Sequence, residues 1–267
     1  MTKKYGTSYY IATYFFAKEL RQATWVLYAF VRYPDEIVDT EEKNPSIAKE
    51  KLSVWKKDWL RAYNDDLDVH PILRANAVLW KEKHIPFEYS EIFLNAMFAD
   101  TEKNRYATYA ELEKYMMGSA TVVGYMMSHL IGYSGDALPH ARSLAEAFQM
   151  TNFLRDVVED LERGRIYLPQ EDMERYGVTE DMLRTTIPNE KVLALLEFEI
   201  QRTQQLYEHG LAGIPMLAKG GRRAVRMAYG LYKGILEKIS KDPSRIYKGR
   251  TRVPLSQKLR IITTHLF

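Results

Sequence analysis

The chain reads as an all-α protein, and three observations carry that reading. Apolar residues recur at helical spacing through one segment after another, strand-like alternation is not sustained anywhere, and Gly, Pro, Asn and Asp cluster between the segments. In order, the helical pattern covers residues 12–30, then 47–60, which ends at the acidic turn 64–68. Next come 71–83, closed by the break at 83–86, and 88–99. The long pattern 109–131 stops at the Gly- and Pro-bearing stretch 132–139. Residues 141–161 follow and give way at 164–169. Segments 192–211 and 222–239 are bounded by breaks at 187–188, 210–215 and 241–243. A helical bundle follows, with functional side chains projecting from facing helices into its centre.

Composition narrows the function. With 267 residues, 46% of them hydrophobic, and no linker, repeat or low-complexity tract, the chain is expected to form one domain over residues 1–267. Its charge is +3 with no long basic run, so nucleic acid is not an expected partner. Zero cysteines exclude disulfides, thiolate zinc sites and Cys nucleophiles, and a cytoplasmic setting is expected. No apolar run reaches the roughly 18 residues of a membrane span, which leaves a soluble or peripheral protein. Neither a P-loop nor GxGxxG occurs, and the six histidines show no ligand spacing.

Two carboxylate pairs stand out. Asp35 and Asp39, in Tyr33-Pro-Asp-Glu-Ile-Val-Asp39, and Asp156 and Asp160, in Asn152-Phe-Leu-Arg-Asp-Val-Val-Glu-Asp160, have the i,i+4 spacing that stacks side chains on one helix face. Like charges so placed repel by about a few tenths of a kcal/mol per pair. Cations offset that cost, and magnesium is usually held by one or two carboxylates plus phosphate oxygens, so the pattern points to a diphosphate substrate. The plainer reading of the first pair is a helix start, with Pro34 at N1 and acids countering the dipole. For the second it is a solvated face, against which Gln149, Asn152, Arg155, Asp156, Glu159 and Asp160 mix amide, guanidinium and carboxylate among Phe148, Phe153, Leu154, Val157 and Val158. Arg32 and Arg155 would add fixed positive charge for phosphate oxygens. Pro34 also predicts a kink or helix restart just before the first pair.

Two further features bear on the cavity. Gly118-Ser-Ala-Thr-Val-Val-Gly124 would let a helix bend or an apolar ligand approach the backbone, and close helix packing explains the same residues equally well. Aromatic residues crowd the stretch before the first pair, among them Tyr5, Tyr9, Tyr10, Tyr14, Phe15, Phe16, Trp25, Tyr28, Phe30 and Tyr33. Core packing is the default for most of them. A dry pocket with π faces would also stabilise a carbocation left by a departing diphosphate.

Taken together, these residues resemble the squalene/phytoene synthase family nearly end to end. The anchors are Tyr5-Gly-Thr-Ser-Tyr9, Ala23-Thr-Trp-Val-Leu-Tyr-Ala-Phe-Val-Arg32 leading into Asp35-Glu-Ile-Val-Asp39, Tyr115-Met-Met-Gly-Ser-Ala-Thr-Val-Val-Gly124, Gln149 through Asp160, and Gly164-Arg-Ile-Tyr-Leu-Pro169. The resemblance implies an isoprenoid-synthase type of helical bundle around a central substrate cavity. It implies magnesium, with manganese able to stand in, held by Asp35, Asp39, Asp156 and Asp160 with Asn152 and Glu159 near. It places Ser8, Tyr28, Arg32, Gln149, Arg155, Tyr232 and Arg250 on the diphosphates or around them. The chain departs from the family at Glu36, where Asp is common, at Gly6, where Ser is, and at Tyr9, where Phe is.

The activity implied is head-to-head (1-1') condensation of two prenyl diphosphates, most similar to the bacterial phytoene synthases that join two geranylgeranyl diphosphates into 15-cis-phytoene. NADPH is not expected on that reading. A squalene or dehydrosqualene synthase using farnesyl diphosphate is the alternative within the class, and a non-enzymatic, assembly-factor-like relative is the alternative outside it. A lipophilic product would give reason for peripheral membrane contact.

Overall fold

The computed structural model describes residues 12–41 and 44–254, so the expectations for Tyr5, Gly6, Ser8, Tyr9 and Tyr10 lie outside the described residues. Within them the chain is helical, and no strand forms among the described residues beyond one antiparallel bridge from Tyr133 to Leu217. The helices are α1 (Lys18–Thr40), α2 (Pro45–Tyr63), α3 (Pro71–Glu82), α4 (Phe87–Ala99), α5 (Tyr109–Met116), α6 (Val122–Ile131), α7 (Leu138–Glu162), α8 (Gln170–Arg175), α9 (Glu180–Leu183), α10 (Glu190–Gly213) and α11 (Lys219–Lys241). A π-turn, Met117–Thr121, joins α5 to α6, and 3-10 turns at Ile214–Met216 and Pro243–Lys248 follow α10 and α11.

The expected order of helices is present, with two corrections. α1 does not restart at Pro34: it runs from Lys18 to Thr40 with Pro34 inside it and buried, so neither the restart nor the N1 reading holds. A proline inside a helix removes one backbone bond at a cost of ~3 kcal/mol. Burial of its ring, with Phe30 and Val38 on the same side, helps offset that loss. The second correction concerns Gly210, which does not end its helix, since α10 continues to Gly213. A Cβ at Gly210 would lie 2.9 Å from the backbone of Leu144, so the glycine lets α10 and α7 touch.

Helix α7 is the central element, packed against α6, α10, α11 and the π-turn. Two apolar clusters flank it. One joins Leu154, Leu195, Leu196 and Ile239 from α7, α10 and α11, and the other joins Leu27, Leu73 and Leu94 to an aromatic knot. In that knot Phe30 meets Trp59 at 4.7 Å, Trp80 at 5.0 Å and Phe93 at 6.1 Å between ring centroids. Close packing holds at Gly118, where a Cβ would fall 2.5 Å from that of Ala96, the helix is interrupted by the π-turn as a bend would require, and Ser119, Ala120 and Gly124 line a cavity.

Candidate active site

A cavity of about 750 Å³ lies between the clusters, bounded by α1, α6, α7, α10 and α11. Its walls are mostly apolar, with Phe16, Leu27, Val123, Met127, Leu144 and Ile235 among them. Tyr28, Gln149, Asn152, Arg155, Tyr232 and Arg250 all reach the lining, and Tyr232 lies close enough to Tyr28, Arg155 and Arg250 for their charges to act on it or for it to act on them, which defines a polar end. Six of the residues singled out in the sequence thus meet there although they span 223 positions from Tyr28 to Arg250.

The four aspartates stand just behind this polar end, tied to it by arginines. On α1, Arg32 bonds Asp35 and lies 3.6 Å from Asp39. On α7, Arg155 donates from Nε to Asp156 Oδ1 at 2.7 Å and bonds the other oxygen through Nη2. Arg250 reaches Asp156 Oδ2 at 3.2 Å and Glu159 Oε2 at 3.5 Å. The two motifs share cations, since Arg163 beyond α7 lies 3.9 Å from Asp39 and also acts on Asp160. Arg165 acts on Asp35 and Asp160 alike.

Electrostatics mark the carboxylates as crowded. Asp35 keeps 42% of its side chain exposed, yet the surrounding protein and then Asp39 raise its pKa to about 6 against the pull of Arg32. Burial, followed by the Asp156 charge, raises Asp160 to about 7. Such groups hold their full negative charge at neutral pH only with further positive charge nearby. The hydroxyls of Tyr28 and Tyr232 face this field. Burial raises the pKa of each, Tyr28 senses Asp35 and Tyr232, and Tyr232 senses Arg155 and Asp156, so both remain protonated donors.

The structure adds residues to which the sequence assigned no role. Asp100, at the end of α4, accepts a 2.8 Å bond from the Tyr115 hydroxyl, and burial raises it to about 7 with Asp35 and Asp39 contributing. Tyr115 belongs to an aromatic stack with Tyr106, Tyr167 and Phe153, in which Phe153 and Tyr167 lie 4.1 Å apart and nearly parallel. A strap holds the stack beside the motifs: Ile166 N donates to Asn104 O at 3.0 Å, Gln170 N to Tyr106 O at 2.9 Å, and Arg105 to Gly164 O at 2.6 Å. The crowded N-terminal aromatics divide otherwise. Phe30 joins the core, Tyr33 stacks on Trp55 at 4.1 Å, Tyr14 is exposed, and Phe16 and Tyr28 line the cavity. A single tyrosine at each of positions 106, 115 and 167 has no periodic signal, whereas the isolated Asp100 after Met97-Phe98-Ala99 was a readable hint.

An apolar cavity closed at one end by paired carboxylates and arginines, on an all-α scaffold, belongs with enzymes that handle diphosphate-bearing apolar substrates. The chain is a member of the squalene/phytoene synthase family, whose pattern it matches over residues 2–258, and it is an enzyme of the transferase class. The 15-cis-phytoene synthase of Synechocystis sp. is 31% identical over 278 residues, covering 97% of this chain and 80% of that protein. The phytoene synthase of Thermus thermophilus is 35% identical over 240 residues, covering 89% and 80%. Among solved structures, a dehydrosqualene synthase in complex with ligand superposes with a TM-score of 0.91 at 27% identity, covering 99% of this chain and 92% of the other. A squalene synthase from Alicyclobacillus acidocaldarius shares the fold at a TM-score of 0.81 and 24% identity, covering 90% of each chain. The relatives support head-to-head prenyl condensation as the reaction of the family. No helix among the described residues is long and apolar enough to cross a membrane.

Proposed function

We propose that this protein is a magnesium-dependent phytoene synthase, joining two geranylgeranyl diphosphates head to head into 15-cis-phytoene. The observation that carries the reading is that Arg155 and Arg250, both in the lining of one apolar cavity, hold Asp156 of the second pair, while Arg163 and Arg165 act on both pairs and so tie the first to it. Likeness to proteins named phytoene synthase favours phytoene over squalene as the product.

The donor set fits magnesium. It consists of oxygen ligands in two separate pairs, and among the described residues no three carboxylates or histidines gather closely enough to hold an ion unaided. An ion completed by phosphate oxygens suits that arrangement. Asp35 and Asp39 would hold one share of the metal, and Asp156, Asp160, Asn152 and Glu159 the other. Bound there, magnesium would supply positive charge to the departing diphosphate.

The remaining work falls to the chain itself. Arg32, Arg155 and Arg250 present guanidinium groups to diphosphate oxygens, and Tyr28 and Tyr232 donate hydroxyl protons at the same end. Ionisation leaves an allylic cation at C1 of one substrate, the double bond of the second substrate attacks it, and loss of a proton from that C1 to the departed diphosphate closes a cyclopropane ring. The second diphosphate then leaves, the ring opens to the 1-1' bond, and loss of a proton ends the reaction. Phe148, stacked on Tyr232 at 4.5 Å, is one of the apolar walls that keep water from the cation.

A second reading, condensation of C15 diphosphates, is favoured by the likeness to the dehydrosqualene synthase. Incubation with geranylgeranyl or farnesyl diphosphate, with and without magnesium and NADPH, separates the two. Phytoene from the C20 substrate with magnesium alone is the expected product. Dehydrosqualene or squalene as the main product would replace the phytoene assignment, and turnover unaffected by a chelator would remove the metal.

A further inference from the structure

Helix α11 is charged against its own stability at one end. Lys219 and Arg222 lie in its first turn with Arg223 next, no acid accompanies them, and Ala218 caps the helix without a side-chain bond. Cations there oppose the helix dipole; Arg222 donates to Leu217 O at 2.6 Å, and local stability does not explain Lys219 or Arg223. The imbalance extends along the region. Residues 219–252 carry eleven basic and two acidic side chains, so this stretch holds +9 of a chain whose total is +3, and the remainder sums to −6.

The charges are ordered on one surface. Lys219, Arg223, Arg226 and Lys233 are spaced four, three and seven apart, which places them along one face of the helix. The first three are exposed, and no salt bridge among the described residues involves them. Ala224, Val225, Ala228, Tyr232 and Ile235, on the same helix, line the cavity. A single helix therefore separates the apolar chamber from the basic stripe.

Next to it stands an aromatic corner. Phe15 and Phe16, in the turn before α1, pack with Ala224, Met227 and Leu231 of α11. In that turn Tyr14 is 51% exposed. Arg21 lies over the rings of Tyr14 and Trp25 at 5.2 and 5.7 Å, and Trp25 donates to Thr13 at 3.0 Å. Amphipathic rings beside basic side chains suit the headgroup layer of a membrane.

We infer that the N-terminal half of α11, with the corner of Tyr14, Arg21 and Trp25, is a docking face for an anionic bilayer surface. Charge alone would equally suit an acidic polymer. The exposed aromatic corner and the apolar chamber one helix behind it favour lipid. This inference does not depend on which prenyl product is made, and its test uses no substrate, so either can fail without the other.

Co-sedimentation with phosphatidylcholine vesicles, with and without phosphatidylglycerol, tests it. The protein is expected to pellet with the phosphatidylglycerol vesicles only and to be released as salt rises. The variant K219Q/R223Q/R226Q should bind about a hundredfold more weakly, from about 1 kcal/mol per lost cation. Because it relieves the dipole conflict, its unfolding temperature should hold or rise, and its turnover in detergent should be unchanged. Failure of the native chain to bind phosphatidylglycerol vesicles, equal binding to neutral ones, or undiminished binding by the triple variant would overturn the proposal. Tighter binding to duplex DNA than to the vesicles would reassign the face and overturn it as well.

Discussion

Asp35 and Asp160 are each pushed toward neutrality by burial and by the aspartate one turn away, which is costly for a structural group and useful for one awaiting a cation. Asparagine at position 35, 39, 156 or 160 should lower turnover by about 100-fold or more while far-UV circular dichroism stays unchanged. Without magnesium, thermal stability should hold or rise in Asp35→Asn and Asp160→Asn, whose charged forms the fold disfavours, whereas Asp156→Asn leaves Arg155 and Arg250 without their partner and should lower it. Near-normal turnover in any two of these variants would end the metal assignment, and loss of helix content would assign the pairs a structural role. At this scale the sequence was informative about charge and less so about company. The i,i+4 pairs and their arginines are legible as spacing, whereas Asp100, Arg163 and Arg165 enter the site only through the packing of α4 and of the strap after α7.

Between elements, the contact of α7 with α10 sets the cavity wall, and Gly210 permits it. In Gly210→Ala the new methyl would meet Leu144 N, Cα and Cβ at 2.9 Å, and backbone cannot step aside as a flexible side chain can. Overpacking should cost about 1–3 kcal/mol, outweighing the roughly 1 kcal/mol by which alanine is the better helix former. Gly220 is the control, since nothing lies within 4 Å of a Cβ there and Gly220→Ala should stabilise by about 0.5–1 kcal/mol. Denaturant titration of both variants reads the difference, and equal effects would remove the close-contact argument. Gly210 and Leu144 both line the cavity, so the first variant should also alter the product profile. The sequence marked residues 210–215 as a break because glycine and proline usually punctuate, and only the neighbouring helix shows that Gly210 serves packing instead.

Across the whole molecule, a charge cluster away from the cavity ties α8 to α10. Arg202 donates from Nη1 to Asp172 Oδ2 and to both oxygens of the fully buried Glu199, each at 2.8 Å. One cation does not neutralise two buried carboxylates. Burial dominates and Asp172 adds to it, raising Glu199 to about 8 in spite of Arg202. The folded chain therefore keeps a proton that the unfolded chain, with an ordinary pKa near 4.5, releases. That contribution to stability is complete below about 4.5 and is lost as pH rises toward about 8. The unfolding temperature should fall by several degrees over this window, and Glu199→Gln should flatten the decline. An equally steep decline in the variant would place the titrating group elsewhere.

The sequence by itself determined the helical class, the order of the long helices though not the short α8 and α9, the two acidic motifs and the family, because these rest on local periodicity and on side chains within a few positions of one another. Tertiary structure alone decided that α1 runs through Pro34, whose burial supports a helix that local preference would end. It also decided that Tyr106, Tyr115 and Tyr167 form one stack, and that Tyr28, Arg155, Tyr232 and Arg250 share one cavity end. Residues so far apart along the chain meet through helix packing, and that packing leaves no period in the sequence to read.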